Sequence, residues 1–156
     1  MKTTGQSESV DEQDVSLKLL VVLWRAAQSL CKGVEKDIRR YGLNPTEFAV
    51  LELLYHKGDQ PIQQIRHKVL IASSSTTYVV DQLQKKQLLR RRPCPHDRRV
   101  TYAVLSDQGR GLMERIFPEH RKAVRQLLGG LSEKERKQLI EPLKKLGLHA
   151  AAQSHR

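Results

Sequence analysis

The chain has 156 residues, 38% of them hydrophobic, and carries 28 Lys and Arg against 17 Asp and Glu, a formal net charge of +11. That length allows one ordinary domain, or a small module with helical extensions, and the charge favours a polyanionic partner, nucleic acid before membrane. Cys31 and Cys94 are far apart and have no histidine cluster around them, which argues against a zinc site and a disulfide scaffold. No metal or cofactor is expected, a reducing, cytoplasmic setting is the simplest one, and no apolar run approaches the length of a membrane span.

Residues 1–14 are polar and acidic and read as a disordered tail. From Val15 to Gly42 apolar residues recur at helical spacing: Leu19, Val22, Leu23, Ala26, Ala27, Leu30, Val34 and Ile38. Leu17, Leu20, Val21 and Trp24 widen the stripe past one face, as expected of a helix buried against its own core and a partner subunit. Asn44-Pro45-Thr46-Glu47 opens a second helix through a cap, a first-position proline and a capping-box glutamate. Phe48, Val50, Leu51 and Leu54 form its inner side. Pro61 opens a short third helix with Ile62, Ile65, Val69 and Leu70 inward. After Ile71-Ala72-Ser73 a fourth helix runs from Ser74 to about Gln87, with Thr76, Val79, Val80 and Leu83 inward.

The period then changes. Leu88–Arg92 and Val100–Leu105 read as two strands around the proline-punctuated turn Pro93-Cys94-Pro95-His96-Asp97. Ser106 caps a fifth helix, which Pro118 should kink, and Gly129-Gly130 ends it. Ser132-Glu133-Lys134-Glu135 is a capping box for a last helix, carrying Leu139, Leu143 and Leu146, with Pro142 expected to bend it. The fold expected is mainly α with a small β-ribbon: a winged helix-turn-helix over 43–105, between dimerisation helices over 15–42 and 106–148, with a second disordered tail over 149–156.

The fourth helix starts with a run of hydroxyls that helix propensity does not explain. Hydroxyls at a helix N-terminus suit phosphate contacts, and a recognition helix meets base edges with its N-terminal residues. Ser73, Ser74, Ser75, Thr77, Tyr78 and Gln82 are the expected DNA-facing set; Gln82 suits adenine and the Thr77 methyl suits thymine. Lys85, Lys86, Arg90, Arg91, Arg92, Arg98 and Arg99 follow closely, and among them Lys85, Arg91, Arg98 and Arg99 are the expected contacts from helix end and wing. Cys94 and His96 are loop neighbours with no orienting third group, so catalysis is not expected. A non-specific architectural or RNA binder is the rival reading; with aromatics at 4% the chain lacks base-stacking platforms.

The segments Asn44–Leu51, Ser74–Asp81, Asp97-Arg98-Arg99 and Leu105–Gly109, in this order and spacing, resemble the MarR family of bacterial regulators. The resemblance runs from about Leu19 to Leu148 and is strongest to the MhqR-type subgroup of repressors, which respond to quinones and phenols. It implies a homodimer on a palindromic double-stranded operator, recognition helices in successive major grooves and wing arginines in the minor groove. By analogy Arg99 is the wing-tip arginine and Asp97 orients it through a charge-assisted hydrogen bond. Gln87 stands where the family usually has glycine, and Tyr78 where arginine is frequent. The resemblance also implies a small aromatic effector, for which Trp24, Arg25, Phe48, Tyr55, Phe117 and His120 are candidates. A thiol route is the alternative. Cys31 should be buried and inert, while Cys94 lies among the wing cations, which favour the thiolate.

Overall fold

The computed structural model describes residues 7–69 and 75–154. Among them are six helices and three strands, in the order α1 (Ser7–Arg39), α2 (Pro45–Lys57), β1 (Gln60–Pro61), α3 (Ile62–Lys68), α4 (Thr76–Lys85), β2 (Leu89–Pro93), β3 (Thr101–Leu105), α5 (Asp107–Leu127) and α6 (Glu133–Ser154). The sheet is antiparallel throughout, with strand order β1-β3-β2. The expected fold class is the one observed. Sequence reasoning did not find β1, because two residues show no periodicity. Pro61 suits an edge strand, where a missing N–H breaks no ladder.

The expectation of disordered tails over 1–14 and 149–156 is corrected at residues 7–14 and 149–154, which are helical. Helix α1 already runs from Ser7, so residues 7–14 belong to it. At the other terminus α6 continues through Ala150-Ala151-Ala152, the strongest helix formers, to Ser154. Helix α5 runs on through Pro118 and α6 through Pro142.

The caps position the lobe. The Asn44 side chain accepts from the Glu47 backbone N–H at 2.8 Å and donates to its carboxylate at 2.8 Å. Lys86 closes the cluster by donating to the other Glu47 oxygen at 2.6 Å, fastening the end of α4 to the start of α2. Just past the end of α4, Gln87 is left-handed at φ 62 although it is not glycine. Leu88 N–H reaches Leu83 C=O at 3.0 Å and Gln87 N–H reaches Gln84 C=O at 2.9 Å. This pattern satisfies the last carbonyls, and the burial of both Leu83 and Leu88 supports it. Ser106 then donates to Gln87 C=O at 2.7 Å and accepts from Gly109 N–H at 2.9 Å. A Cβ on Gly109 would lie 2.0 Å from Leu88 O, so this start of α5 needs glycine.

The core is one cluster inside the lobe. Val50, Leu51 and Leu54 of α2, Ile65 of α3, Val80 and Leu83 of α4 and Ala103 of β3 meet there, joined by Ile38 from the end of α1 and Met113 and Ile116 from α5. Of the apolar stripe expected on α1, Ile38 is buried and Val34 packs beside the core. Leu19, Val22, Ala26 and Ala27 are exposed on this single chain.

Candidate nucleic-acid interface

Helix α4 buries Val79, Val80 and Leu83 and turns Thr77, Tyr78, Gln84 and Lys85 outward. Tyr78 is 60% exposed, a large ring held out of the core. Gln82 is half-buried and Ser75, at the helix entry, is exposed with no capping bond from its side chain. Ser73 and Ser74, and Leu70, expected inward, lie outside the described residues.

The ribbon carries its cations on alternating faces. Leu89 is buried under the sheet, and Arg91, two residues on, points the same way toward α4. There its guanidinium donates to the Asp81 carboxylate at 2.5 Å and to the Gln84 side-chain oxygen. Arg92 pairs with Asp59 at 3.0 Å and lies over the Tyr102 ring, 5.5 Å from its centre. Arg90 and Arg98 are exposed and have no ionic partner among the described residues.

At the wing tip Arg99 holds its side chain 94% exposed. Asp97 acts on it differently from the sequence expectation. Its carboxylate accepts the Arg99 backbone N–H at 3.0 Å, while the guanidinium stays 3.8 Å away, beyond hydrogen-bond reach. A short side chain that caps the backbone two residues on makes a tight turn. Asp97 therefore shapes the turn and keeps only a long ionic contact with the outward guanidinium. Gln63 of α3 holds the same turn by donating to Arg99 C=O at 3.0 Å. Below the tip Cys94 N–H closes the hairpin on Val100 C=O at 2.9 Å. The result is a hydroxyl- and amide-bearing helix beside a braced hairpin with three exposed arginines, of which Arg99 keeps a long ionic contact to Asp97.

Residues 43–101 match the sequence model of the MarR family. The HTH-type transcriptional regulator MhqR of Bacillus subtilis (strain 168) is 54% identical over 86% of this chain and 93% of its own. The chain belongs to the MarR family. It is a DNA-binding transcriptional regulator. The solved structure concerned with regulation of DNA binding of Bordetella bronchiseptica BpsR by 6-hydroxynicotinic acid shares 26% identity, covers 81% of this chain and 90% of that one, and superposes with a TM-score of 0.72. Sco3205, a MarR family regulator from Streptomyces coelicolor solved in complex with DNA, shares the fold at 23% identity and a TM-score of 0.72, covering 94% and 89% of the two chains. No described helix is long and apolar enough to cross a membrane.

In this MarR-family chain four of the six candidate effector residues come together. The Phe48 and His120 rings lie 4.5 Å apart, Tyr55 and Phe117 6.0 Å, and Phe117 and His120 6.4 Å. His56 joins them, 4.7 Å from Phe117. Trp24 and Arg25 do not join this cluster: both are exposed on α1, with Trp24 64% exposed. Sequence reasoning missed what anchors the cluster. The buried Asp37 of α1 lies 2.8 Å from His120 Nδ1 on α5 and accepts the Tyr41 hydroxyl at 3.2 Å. Burial, with the Asp37 charge second, pushes the Tyr41 phenol above its ordinary value. No local motif marks a pair 83 positions apart. Cys31 is exposed, against the expectation of burial, although Gly33 two residues on packs against Leu127 of α5; Cys94 is half-buried.

Proposed function

We propose that this MarR-family regulator is a homodimeric repressor that reads a palindromic operator and is released by a small aromatic effector. In this reading residues 43–105 form the DNA-binding lobe, and 15–42 and 106–148 join two copies. Helix α4 enters the major groove with Thr77, Tyr78 and Gln82; Ser73, Ser74 and Ser75 before it join the contact, Lys85 and Arg98 meet phosphates and Arg99 enters the minor groove. One contrast carries the reading. Polar and cationic groups stand free on α4 and the wing, whereas α1 and α6 expose apolar ones: Leu19, Leu20, Val22 and Trp24 on the first, Leu139, Ile140, Leu143 and Leu146 on the second. An apolar surface of this extent calls for a partner.

Support for the effector comes from the ring cluster of Phe48, Tyr55, Phe117 and His120, which joins α2 of the lobe to α5 of the scaffold. A ligand that favours one dimer geometry over another would change the spacing of the recognition helices. The Bordetella protein, regulated by the small hydroxylated aromatic 6-hydroxynicotinic acid, supports this chemistry. A thiol-based alternative rests on Cys94, whose place in the closing hydrogen bond of the wing would couple its modification to wing shape.

Selection of random duplexes by the full-length protein, repeated with added quinones, phenols and oxidants, tests the whole reading. A palindromic site with half-sites about 34–36 Å apart is expected, and binding should fall on adding the aromatic compounds. Arg99→Ala should weaken that binding by about 1–3 kcal/mol. Release by oxidants alone, abolished in Cys94→Ser, would favour the thiol route instead.

A further inference from the structure

Asp81 is an acid on the recognition helix of a DNA-binding protein, 45% exposed at its side chain. By charge alone it repels phosphate and weakens binding. We propose that Asp81 is a positioning residue for sequence recognition: with Gln84 it grips the Arg91 guanidinium and so sets the wing relative to the recognition helix. The proposal rests on the DNA-binding reading and gives Arg91 a bracing role in place of the DNA contact expected from sequence.

The geometry explains why a strut is needed there. Helix α4 passes to β2 through Lys86, Gln87 and Leu88 alone, with Gln87 left-handed. Leu88 and Leu89 anchor the base of the ribbon in the core, but beyond Leu89 the core ends. Arg91 is the next residue on that face, and it reaches back to α4 where apolar contact has run out. Asp81 and Gln84 are three residues apart and share one side of the helix. The planar guanidinium takes one acceptor with each terminal nitrogen, which fixes direction as well as distance. The other bracing contacts, Arg92 with Asp59 and Gln63 with the Arg99 carbonyl, tie the ribbon to the loop after α2 and to α3. The Asp81–Arg91 pair ties the ribbon to the recognition helix itself, so it couples the two elements that read the two grooves.

The test uses full-length protein and the duplex that the unaltered protein selects from a random-sequence pool. D81N should lower affinity for that duplex about tenfold, although it removes an acid from a cationic face. On a scrambled duplex D81N should bind as tightly as the unaltered protein, or more tightly. R91K keeps the charge but loses the fork. It should lower specific affinity as D81N does, leaving the slope of log affinity against log salt unchanged, whereas losing a phosphate contact flattens that slope by about one. The D81N/R91K double variant should be no weaker than the weaker single. Melting temperatures should stay together, because both side chains lie at the surface. Specific binding by D81N that is unchanged or tighter, or R91K that binds like the unaltered protein, would overturn the proposal. Failure of the unaltered protein to select any duplex would instead remove the DNA-binding reading, and the proposal with it.

Discussion

The lobe between Leu43 and Leu105 closes a core with Ile38, Met113 and Ile116, whereas residues 15–22 of α1 and the whole of α6 bury no side chain. In the lobe Val50, Leu51, Leu54, Ile65, Val80, Leu83 and Ala103 are each at most 1% exposed. Helix α6 has no buried residue, and its Leu139, Leu143 and Leu146 are all more than 40% exposed. Full burial of one such side chain stabilises by about 1.5–3 kcal/mol, so the lobe gains within one chain what the terminal helices leave ungained. Helical propensity and capping hold α6 as a helix, as the reciprocal Ser132–Glu135 box shows. Propensity forms helices; burial decides where they go. The apolar faces of α1 and α6 are thus shaped for a surface outside the protomer, consistent with the proposed homodimer.

Substitutions can break this comparison on either side. The largest effect is expected in the lobe: Leu51→Ala leaves a cavity in the closed core and should cost about 2–5 kcal/mol in chemical unfolding. Leu143→Asp should act on assembly, costing about 2 kcal/mol or more of association and shifting the sedimenting mass toward one chain while the lobe stays folded. A Leu143→Asp protein that sediments like the unaltered one would remove α6 from the interface. Gln87→Gly should stabilise by about 1 kcal/mol, since glycine adopts positive φ without the side-chain penalty; a lower melting temperature would contradict this account of the α4 terminus.

The smallest effect concerns Glu135, whose carboxyl is held below its ordinary value by the hydrogen bonds with Ser132. A depressed carboxyl contributes above its unfolded pKa and loses that contribution as pH falls through the folded one. Helicity of α6 should therefore decline slightly on acidification below about pH 4. Glu135→Ala should remove that step from a circular-dichroism titration and leave the lobe's transition in place.

Much of the lobe was legible in the order of residues. Asn44-Pro45 and Ser106 announced helix starts through local capping chemistry, and Phe48, Val50, Leu51 and Leu54 announced a buried face through spacing. The outward Thr77 and Tyr78 followed from the inward Val79, Val80 and Leu83. The ring cluster was legible as residue types but not as a set: Phe48, Tyr55, Phe117 and His120 meet, and Trp24 does not. The difference lies in the packing of α1 against α5, where a Cβ on Gly33 would come within 2.4 Å of Leu127. This close approach lies near the end of α1, while Trp24 sits on the part left uncovered.

The row of cations from Lys85 to Arg99 shows the same division most clearly. That this stretch is a basic hairpin behind a hydroxyl-rich helix follows from charge, strand alternation and turn residues, which are properties of neighbours. Which of these cations are held and which face outward depends on packing. Arg91 is held by Asp81 and Gln84, and Arg92 by Asp59, while Arg90, Arg98 and Arg99 face outward. The reason is geometric: strand alternation sets which face each arginine takes, but only the packing of α4 and the loop after α2 against the sheet puts a carboxylate there to meet it.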